Sequence, residues 1–152
     1  MSLDEHSRAL AASLTKAGLA PNGPASALLP PAAPFEPTTE LRVAFEKSEA
    51  EGEEAGKAVQ LGTFFRAGEC GRAPIVSFAA EEGVDADASY LLVLTDPDAP
   101  TPDDPKFAFW RHWVVGGLRP GRDVVAAAAP APVVLTEYLG PGPKDEYVLF
   151  PR

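Results

Sequence analysis

Seventeen prolines and thirteen glycines in a chain of 152 residues limit the fold more than any other feature of this sequence. Proline fixes its own φ and cannot donate to a helix or a central strand, while glycine supplies the turns. Such a chain favours short strands joined by shaped loops over a helical bundle. Hydrophobic residues make up 45% of it, which suits one globular domain with a real core.

The charge balance limits the partners. The chain carries 13 Lys and Arg against 22 Asp and Glu, a net charge of −9. Such a surface repels the phosphates of nucleic acids and is not drawn to an anionic membrane by charge. We therefore predict no nucleic-acid partner and at most a peripheral membrane contact.

Cysteine content and the N-terminal residues give two further expectations. Cys70 is the only cysteine, which leaves no intrachain disulfide and no cysteine-based metal cluster. The first residues, MSLDEHSRALAASL, carry charges where a signal peptide needs an apolar run. No stretch approaches the ~20 apolar residues that span a bilayer. The sequence predicts a cytoplasmic protein.

Three segments are predicted along the chain. Residues 1–20 hold an amphipathic helix over 3–17, with leucines at helical period and Gly18 at its end. We expect its apolar stripe to dock onto the domain, with an exposed segment that grips a partner as the alternative. The proline-rich residues 21–37 form a linker, and residues 38–152 form a β domain.

Apolar runs bounded by turn residues predict the strands of this domain. The predicted strands span residues 41–45, 58–65, 73–79, 89–95, 109–118 and 147–150. The polar, acidic run 46–57 is typical of a hairpin loop, and 123–140 is read as extended chain because two prolines break its alanine run. Residues 89–95 are apolar almost throughout, as is typical of a central strand covered on both faces.

The most informative stretch is LVLTDPDAPTPDDPKFAFWRHWVV, residues 92–115. Its prolines fix their own φ and push the preceding residues into extended conformations. Asp96 and Asp98 are therefore predicted on a stiff turn at the end of a strand. Simple alternation along the next strand predicts two faces, with Trp110, His112 and Val114 on one and Arg111, Trp113 and Val115 on the other.

If these two strands are neighbours, His112 can reach the acidic turn. A carboxylate could then orient one imidazole nitrogen while the other faces a ligand, and Phe107, Phe109 and Trp110 would form apolar walls. A structural histidine bonded to an acid in the core fits the same spacing equally well.

Three functional interpretations compete for this constellation. A metal site is disfavoured because two carboxylates and one histidine in this order match no strong ligand spacing, and we predict neither a metal nor another cofactor. A weak hydrolase would use Asp98 and His112, but no G-x-S-x-G or comparable elbow supplies a nucleophile. A ligand pocket needs only a shaped cavity with a few polar groups, and it fits with the fewest additions.

The motif DPDAP at 96–100, followed by WRHWVV at 110–115, resembles the paired motif of the phosphatidylethanolamine-binding protein family. That family includes the Raf kinase inhibitor protein and fungal carboxypeptidase Y inhibitors. The segment YLGPGP at 138–143 is similar to the family's Y-x-G-x-x-P loop. The resemblance covers about residues 35–150, and the N-terminal helix looks more like the fungal inhibitor branch.

The resemblance implies a mostly β fold in which a central antiparallel sheet packs on a smaller sheet, with an N-terminal helix and a small anion pocket. The residues that match the family's pocket are Asp96, Asp98, Pro100, Phe107, Trp110, His112, Gly142, Pro143 and Tyr147. Phe107 stands where the family often has a tyrosine at the pocket edge.

The chain departs from the family pattern near its end. The triplet D-E-Y at 145–147 takes the place of the family's H-R-Y motif, so an acid replaces the second pocket histidine, and the usual C-terminal helix is expected to be missing. A phosphate would lose a donor there and meet extra negative charge, which predicts weaker anion binding or a different ligand. Asp96 and Asp98 would orient His112 or accept hydrogen bonds from an amine such as ethanolamine.

For function, the resemblance implies a non-catalytic binding module that takes a phosphorylated head group or small anion and regulates a protein partner. The implied partner is a serine carboxypeptidase in the fungal branch, and a signalling kinase or small-GTPase regulator in other branches. The alternatives are the weak hydrolase and an interaction protein with a degenerate pocket.

Overall fold

The computed structural model describes residues 3–19, 37–46, 56–101, 103–121 and 131–142. These residues contain one α-helix, one short 3₁₀ helix and six strands: α1 Leu3–Lys16, β1 Leu41–Phe45, β2 Lys57–Ala58, the 3₁₀ helix Ala67–Cys70, β3 Ile75–Phe78, β4 Tyr90–Asp96, β5 Trp110–Leu118 and β6 Val133–Thr136. The predicted mostly β fold with an N-terminal helix is confirmed.

In the described part of the chain, the strands form two antiparallel sheets of three strands each. In the first sheet β1 lies between β2 and β3, and Val43 is opposite Val76. In the second sheet β5 lies between β4 and β6. Phe45 of β1 is opposite Lys57 of β2, which is the pairing that a hairpin loop between them requires.

The core lies between the two sheets. Its buried cluster joins Val76 and Phe78 of β3 to Trp113, Val115 and Leu118 of β5. Val76 is 2% exposed and Val115 is 0% exposed. Because full burial of one such aliphatic side chain stabilises a fold by ~1.5–3 kcal/mol, these contacts hold the sheets face to face.

The strand predictions are accurate where turn residues bound an apolar run. β1 matches the predicted range 41–45, and β3, β4 and β5 each begin and end close to their predicted positions. The strand predicted over 58–65 is wrong, because β2 ends at Ala58. A turn follows it, in which the Thr63 N–H donates to the Gln60 carbonyl at 2.9 Å.

Of two other predictions, one is tested in part and one is not tested. The segment 123–140, read as extended chain, contains β6, and its residues before 131 lie outside the described residues. The strand predicted over 147–150 also lies outside them.

Within the described residues β4 pairs with β5 alone, so the central position predicted for residues 89–95 is not seen in this part of the chain. Its side chains Leu91 and Val93 are 60% and 49% exposed. The central position belongs to β5, whose run from Trp113 to Val115 is buried. An apolar run predicts a strand but does not say how many neighbours that strand has.

The helix α1 ends where the sequence predicts. Gly18 has a φ of +72°, the left-handed conformation that glycine adopts most easily. The Leu19 N–H donates to the Leu14 carbonyl at 2.9 Å and the Gly18 N–H to the Thr15 carbonyl at 3.1 Å, as in a Schellman motif. Of the helices in the described ranges, none has the length and apolar character needed to cross a membrane.

Candidate ligand-binding site

The acidic motif forms a self-bonded turn at the end of β4. One carboxylate oxygen of Asp96, Oδ1, accepts the N–H of Asp98 at 2.8 Å, which is the turn that aspartate side chains commonly make. Further along, the Phe107 N–H donates to the Ala99 carbonyl at 2.9 Å and closes the loop. Asp96 and Asp98 are both half-buried. The stiffness predicted from the prolines is therefore reinforced by hydrogen bonds.

The start of β5 lies directly beside this turn. Asp96 is opposite Trp110 in the antiparallel pair, and the Thr95 hydroxyl donates to the Trp110 carbonyl at 3.1 Å. This pairing brings the acidic turn and the W-R-H-W motif to the same end of the sheet, as the sequence predicts for neighbouring strands.

A β-bulge at His112 changes which side chains share a face. Leu94 pairs with Trp113 and Thr95 pairs with Arg111, so His112 is an extra residue without a partner on β4. Such an insertion breaks the strict alternation of a strand. By this register Trp110 shares a face with Trp113, and Arg111 with Val114, so the predicted grouping of Trp110 with Val114 is wrong. The predicted grouping of Trp113 with Val115 agrees with their shared buried cluster.

His112 is held by a backbone carbonyl. Its Nδ1 lies 2.6 Å from the Leu139 carbonyl oxygen, and the Leu139 N–H donates to the His112 carbonyl at 2.8 Å. Because a carbonyl oxygen only accepts, Nδ1 carries a hydrogen and Nε2 is the other ring nitrogen. The orienting group is thus a carbonyl, where the sequence predicts a carboxylate.

The segment that supplies this carbonyl rests on the 3₁₀ helix. The Tyr138 hydroxyl donates to the Cys70 carbonyl at 2.6 Å, and its ring packs edge-on against Trp113 with the ring centroids 5.8 Å apart. Burial, with a smaller contribution from Cys70, raises the pKa of Tyr138 to about 12. The phenol therefore keeps its proton, and remains a donor, over the neutral range.

Exposed aromatic rings flank the acidic turn. Phe107 and Trp110 are 53% and 46% exposed, and their ring centroids lie 6.4 Å apart in an edge-on arrangement. The Lys106 ammonium lies 5.4 Å from the Phe107 ring centroid and 3.4 Å from a carboxylate oxygen of Asp104. The rings can give a ligand an apolar contact, and Lys106 adds a cation to the same loop.

The predicted site residues divide into three groups. Asp96, Asp98, Trp110 and His112 lie at one end of the second sheet, with Phe107 on the connecting loop. Pro100 and Gly142 are described and exposed. Pro143 and Tyr147 lie outside the described residues, so the pocket that all nine would line stays a prediction.

Sequence reasoning missed the residues that support His112. Leu139 acts through its backbone, which every residue possesses, so no residue type could have pointed to it. Tyr138 offered a weak signal, since a buried tyrosine hydroxyl usually finds a partner. Among the described residues, no group of three or more His, Cys, Asp or Glu is arranged to hold a metal ion.

One comparison with known proteins bears on this site. The sequence model of the family described as phosphatidylethanolamine-binding protein matches residues 50–149, which is 100 of the 152 residues. The match spans β2 to β6 and every predicted site residue from Asp96 to Tyr147.

Proposed function

Since the chain belongs to the phosphatidylethanolamine-binding protein family, a family of binding and regulatory proteins, we propose that it binds a phosphorylated head group or small anion beside His112. In this proposal the protein is a non-catalytic module, and occupancy of its pocket regulates its contact with another protein.

The observation that carries the proposal is the hydrogen bonding of His112. With Nδ1 bonded to the Leu139 carbonyl, Nε2 is the ring nitrogen available to a ligand. A protonated imidazole donates from Nε2 and attracts a phosphate oxygen, whereas a neutral ring in this tautomer can only accept there. The site therefore favours an anion when the ring is charged.

The acidic turn suits the other half of a zwitterionic head group. Asp96 and Asp98 repel a bare phosphate, but their carboxylates can accept hydrogen bonds from a primary ammonium group. One oxygen of Asp96 is already engaged by the Asp98 N–H, which fixes the orientation of that carboxylate. Phosphoethanolamine matches this pair of demands better than inorganic phosphate does.

The protein partner is proposed from the family branches. A serine carboxypeptidase is the partner if the N-terminal helix marks the fungal inhibitor branch, and a kinase or small-GTPase regulator is the partner otherwise. The net charge of −9 argues against nucleic acid and against more than peripheral membrane contact. The cytoplasmic location and the segment boundaries at residues 20 and 37 stay predictions.

Isothermal titration with phosphoethanolamine and with inorganic phosphate tests the ligand. We expect measurable binding to the wild-type protein and a loss of about tenfold or more in His112→Ala, since a charge-assisted hydrogen bond contributes roughly 1.5–3 kcal/mol. His6→Ala is the matched control, because His6 is the other histidine of the chain and lies on α1. Equal affinities in the wild type and His112→Ala would refute the proposal. Turnover of ester substrates that is lost in His112→Ala would favour the hydrolase instead.

A further inference from the structure

Residues 138–140, which lie beside His112, are held in place by hydrogen bonds and by close packing against the backbone of Cys70. Leu139 makes two hydrogen bonds to His112, one through each of its backbone polar groups. On either side of it, the Tyr138 hydroxyl bonds the carbonyl oxygen of Cys70, and Gly140 lies so near the same oxygen that an added Cβ would be 2.6 Å from it. The position of the Leu139 carbonyl is thus set from both flanks.

Cys70, which Tyr138 bonds and beside which Gly140 lies, has a fixed position in the fold. Cys70 is 3% exposed and ends the 3₁₀ helix. That helix is held in turn by Glu69, whose carboxylate accepts the Arg66 N–H and pairs with Lys57 at 2.9 Å. A buried carbonyl on a braced helix is a rigid point for the 138–140 segment to bond.

The Tyr138 contact is directional and persistent. Its hydroxyl bonds the Cys70 carbonyl at 2.6 Å, and its ring is wedged edge-on against Trp113. Since the pKa of Tyr138 is raised to about 12, the hydroxyl is a donor at every pH at which an imidazole titrates.

The backbone of Cys70 and Gly71 leaves no room for a side chain at position 140. A Cβ at this position would lie 2.6 Å from the Cys70 carbonyl oxygen, 3.5 Å from its carbonyl carbon and 3.6 Å from the Cα of Gly71. All three are backbone atoms, so the clash could be relieved only by moving the segment or the 3₁₀ helix.

We infer that Tyr138 and Gly140 are positioning residues for His112. Tyr138 bonds the Cys70 carbonyl and Gly140 lies close to it, and together they hold the Leu139 carbonyl against Nδ1. Nε2 is thereby kept as the ring nitrogen that faces the ligand. This role resembles the outer partners of metal-bound histidines, which fix the tautomer and the orientation of the ring. The inference rests on the proposed function only for the ligand that Nε2 meets. The control of the tautomer stands on the contacts alone.

The test reads the tautomer directly, by ¹⁵N NMR of the neutral His112 ring, recorded at a pH above which its ¹⁵N shifts no longer change. The wild-type ring is expected in the Nδ1–H form, and Tyr138→Phe, which keeps the ring against Trp113, is expected to show a mixture of both tautomers. Tyr90→Phe is the matched control, because its hydroxyl bonds Glu81 on another part of the surface. The His6 resonances, assigned with His6→Gln, are expected to be identical in all variants.

A second pair of variants tests the close approach. Gly140→Ala is expected to shift the tautomer further than Tyr138→Phe, whereas Gly68→Ala is expected to leave it unchanged, since a Cβ at Gly68 has no atom within 4 Å. A general loss of stability would not alter the tautomer of the folded fraction, so this readout separates positioning from a merely structural role.

Phosphate binding gives a separate readout at pH about 6. The charged ring carries a hydrogen on both nitrogens, so Tyr138→Phe can change only its orientation, and it is expected to weaken the binding of inorganic phosphate by at most about tenfold, the free energy of the one Tyr138–Cys70 hydrogen bond that is removed. A wild-type tautomer in Tyr138→Phe would overturn the inference, whatever the binding result. If the wild type bound no phosphate while Tyr138→Phe still mixed the tautomers, the proposed function would fail and the positioning role would stand.

Discussion

At the scale of single residues, the role proposed for His112 predicts that ligand binding depends on pH. Its Nε2 can donate only when the ring is protonated, because Nδ1 already carries the hydrogen bonded to Leu139. We expect the affinity for glycerophosphoethanolamine to rise by about tenfold as the pH falls from about 8 to about 6. This diester is the appropriate probe, since its phosphate keeps one charge over that range.

Calorimetric titration at several pH values measures this dependence. His112→Gln is the matched control, because an amide cannot be charged, and its binding is expected to be weak and independent of pH. A flat profile in the wild-type protein would exclude His112 as the anion donor.

Tyr138 makes the stability of the fold sensitive to alkali. Its pKa is about 12 in the folded protein against an ordinary value of 10.0, so the unfolded chain releases this proton first as the pH rises. The free energy of unfolding is therefore fully maintained below pH about 10 and falls as the pH rises towards about 12. Urea denaturation at pH about 8 and about 11 is expected to show a smaller alkaline loss in Tyr138→Phe than in the wild type. An equal loss in both proteins would show that another group is responsible.

At the scale of secondary-structure elements, the 3₁₀ helix depends on the charge of Glu69. Its carboxylate accepts the Arg66 N–H and bonds the Lys57 ammonium, and both contacts lower its pKa. We expect Glu69→Gln to lower the free energy of unfolding by about 1 kcal/mol near neutral pH, since both contacts are partly exposed to solvent. The lowered pKa means that this contribution is present above the ordinary value and is lost as the pH falls through the folded one.

Glu40→Gln is the control for this element. Glu40 pairs with Arg42 at 3.5 Å, but both side chains are largely exposed, and such surface pairs contribute little. Chemical denaturation should therefore separate the two variants at neutral pH and bring Glu69→Gln close to the wild type in acid. Equal effects of the two substitutions would contradict a bracing role for Glu69.

The same elements show how far a sequence can predict this fold. β1 was predictable because Leu41, Val43 and Phe45 alternate with polar or small residues, and the neighbouring positions of the acidic turn and Trp110 followed from two adjacent strand patterns. The bulge at His112 was not, since one extra residue in a strand leaves no mark on composition. The place of β4 in the described sheet, beside β5 alone, could not be predicted either, because it depends on tertiary pairing.

The site was predictable to a similar depth. Side chains that carry chemistry, such as Asp96 and His112, can be recognised from residue type and spacing. The groups that position them cannot, because the Leu139 carbonyl, the Cys70 carbonyl and the lack of room for a side chain at Gly140 are properties of the backbone. Only the fold brings positions 70, 112 and 139 together.

At the scale of the whole molecule, α1 lies outside the hydrophobic core. None of its residues is buried, and its first turns border an open cleft of about 520 Å³ formed with residues 37–38 and 81–82. The lining of that cleft carries Asp4 and Arg8 from α1 and two acids, Glu81 and Glu82, from the domain, so the two opposite charges of the helix offset each other there. The core cluster between the two sheets has no member from α1.

Deleting residues 1–17 is therefore expected to lower the free energy of unfolding by only about 1 kcal/mol or less, since elements without buried apolar contacts contribute little to global stability. The same deletion is expected to abolish inhibition if a serine carboxypeptidase is the partner. It is expected to leave phosphoethanolamine affinity unchanged, because none of the residues that share a cleft with α1 is a predicted site residue. Urea denaturation, peptidase assays and calorimetry on the truncated chain measure the three effects. Inhibition that survived the deletion would assign the partner contact to the β domain, and a large loss of stability would mean that the docked helix is part of the core.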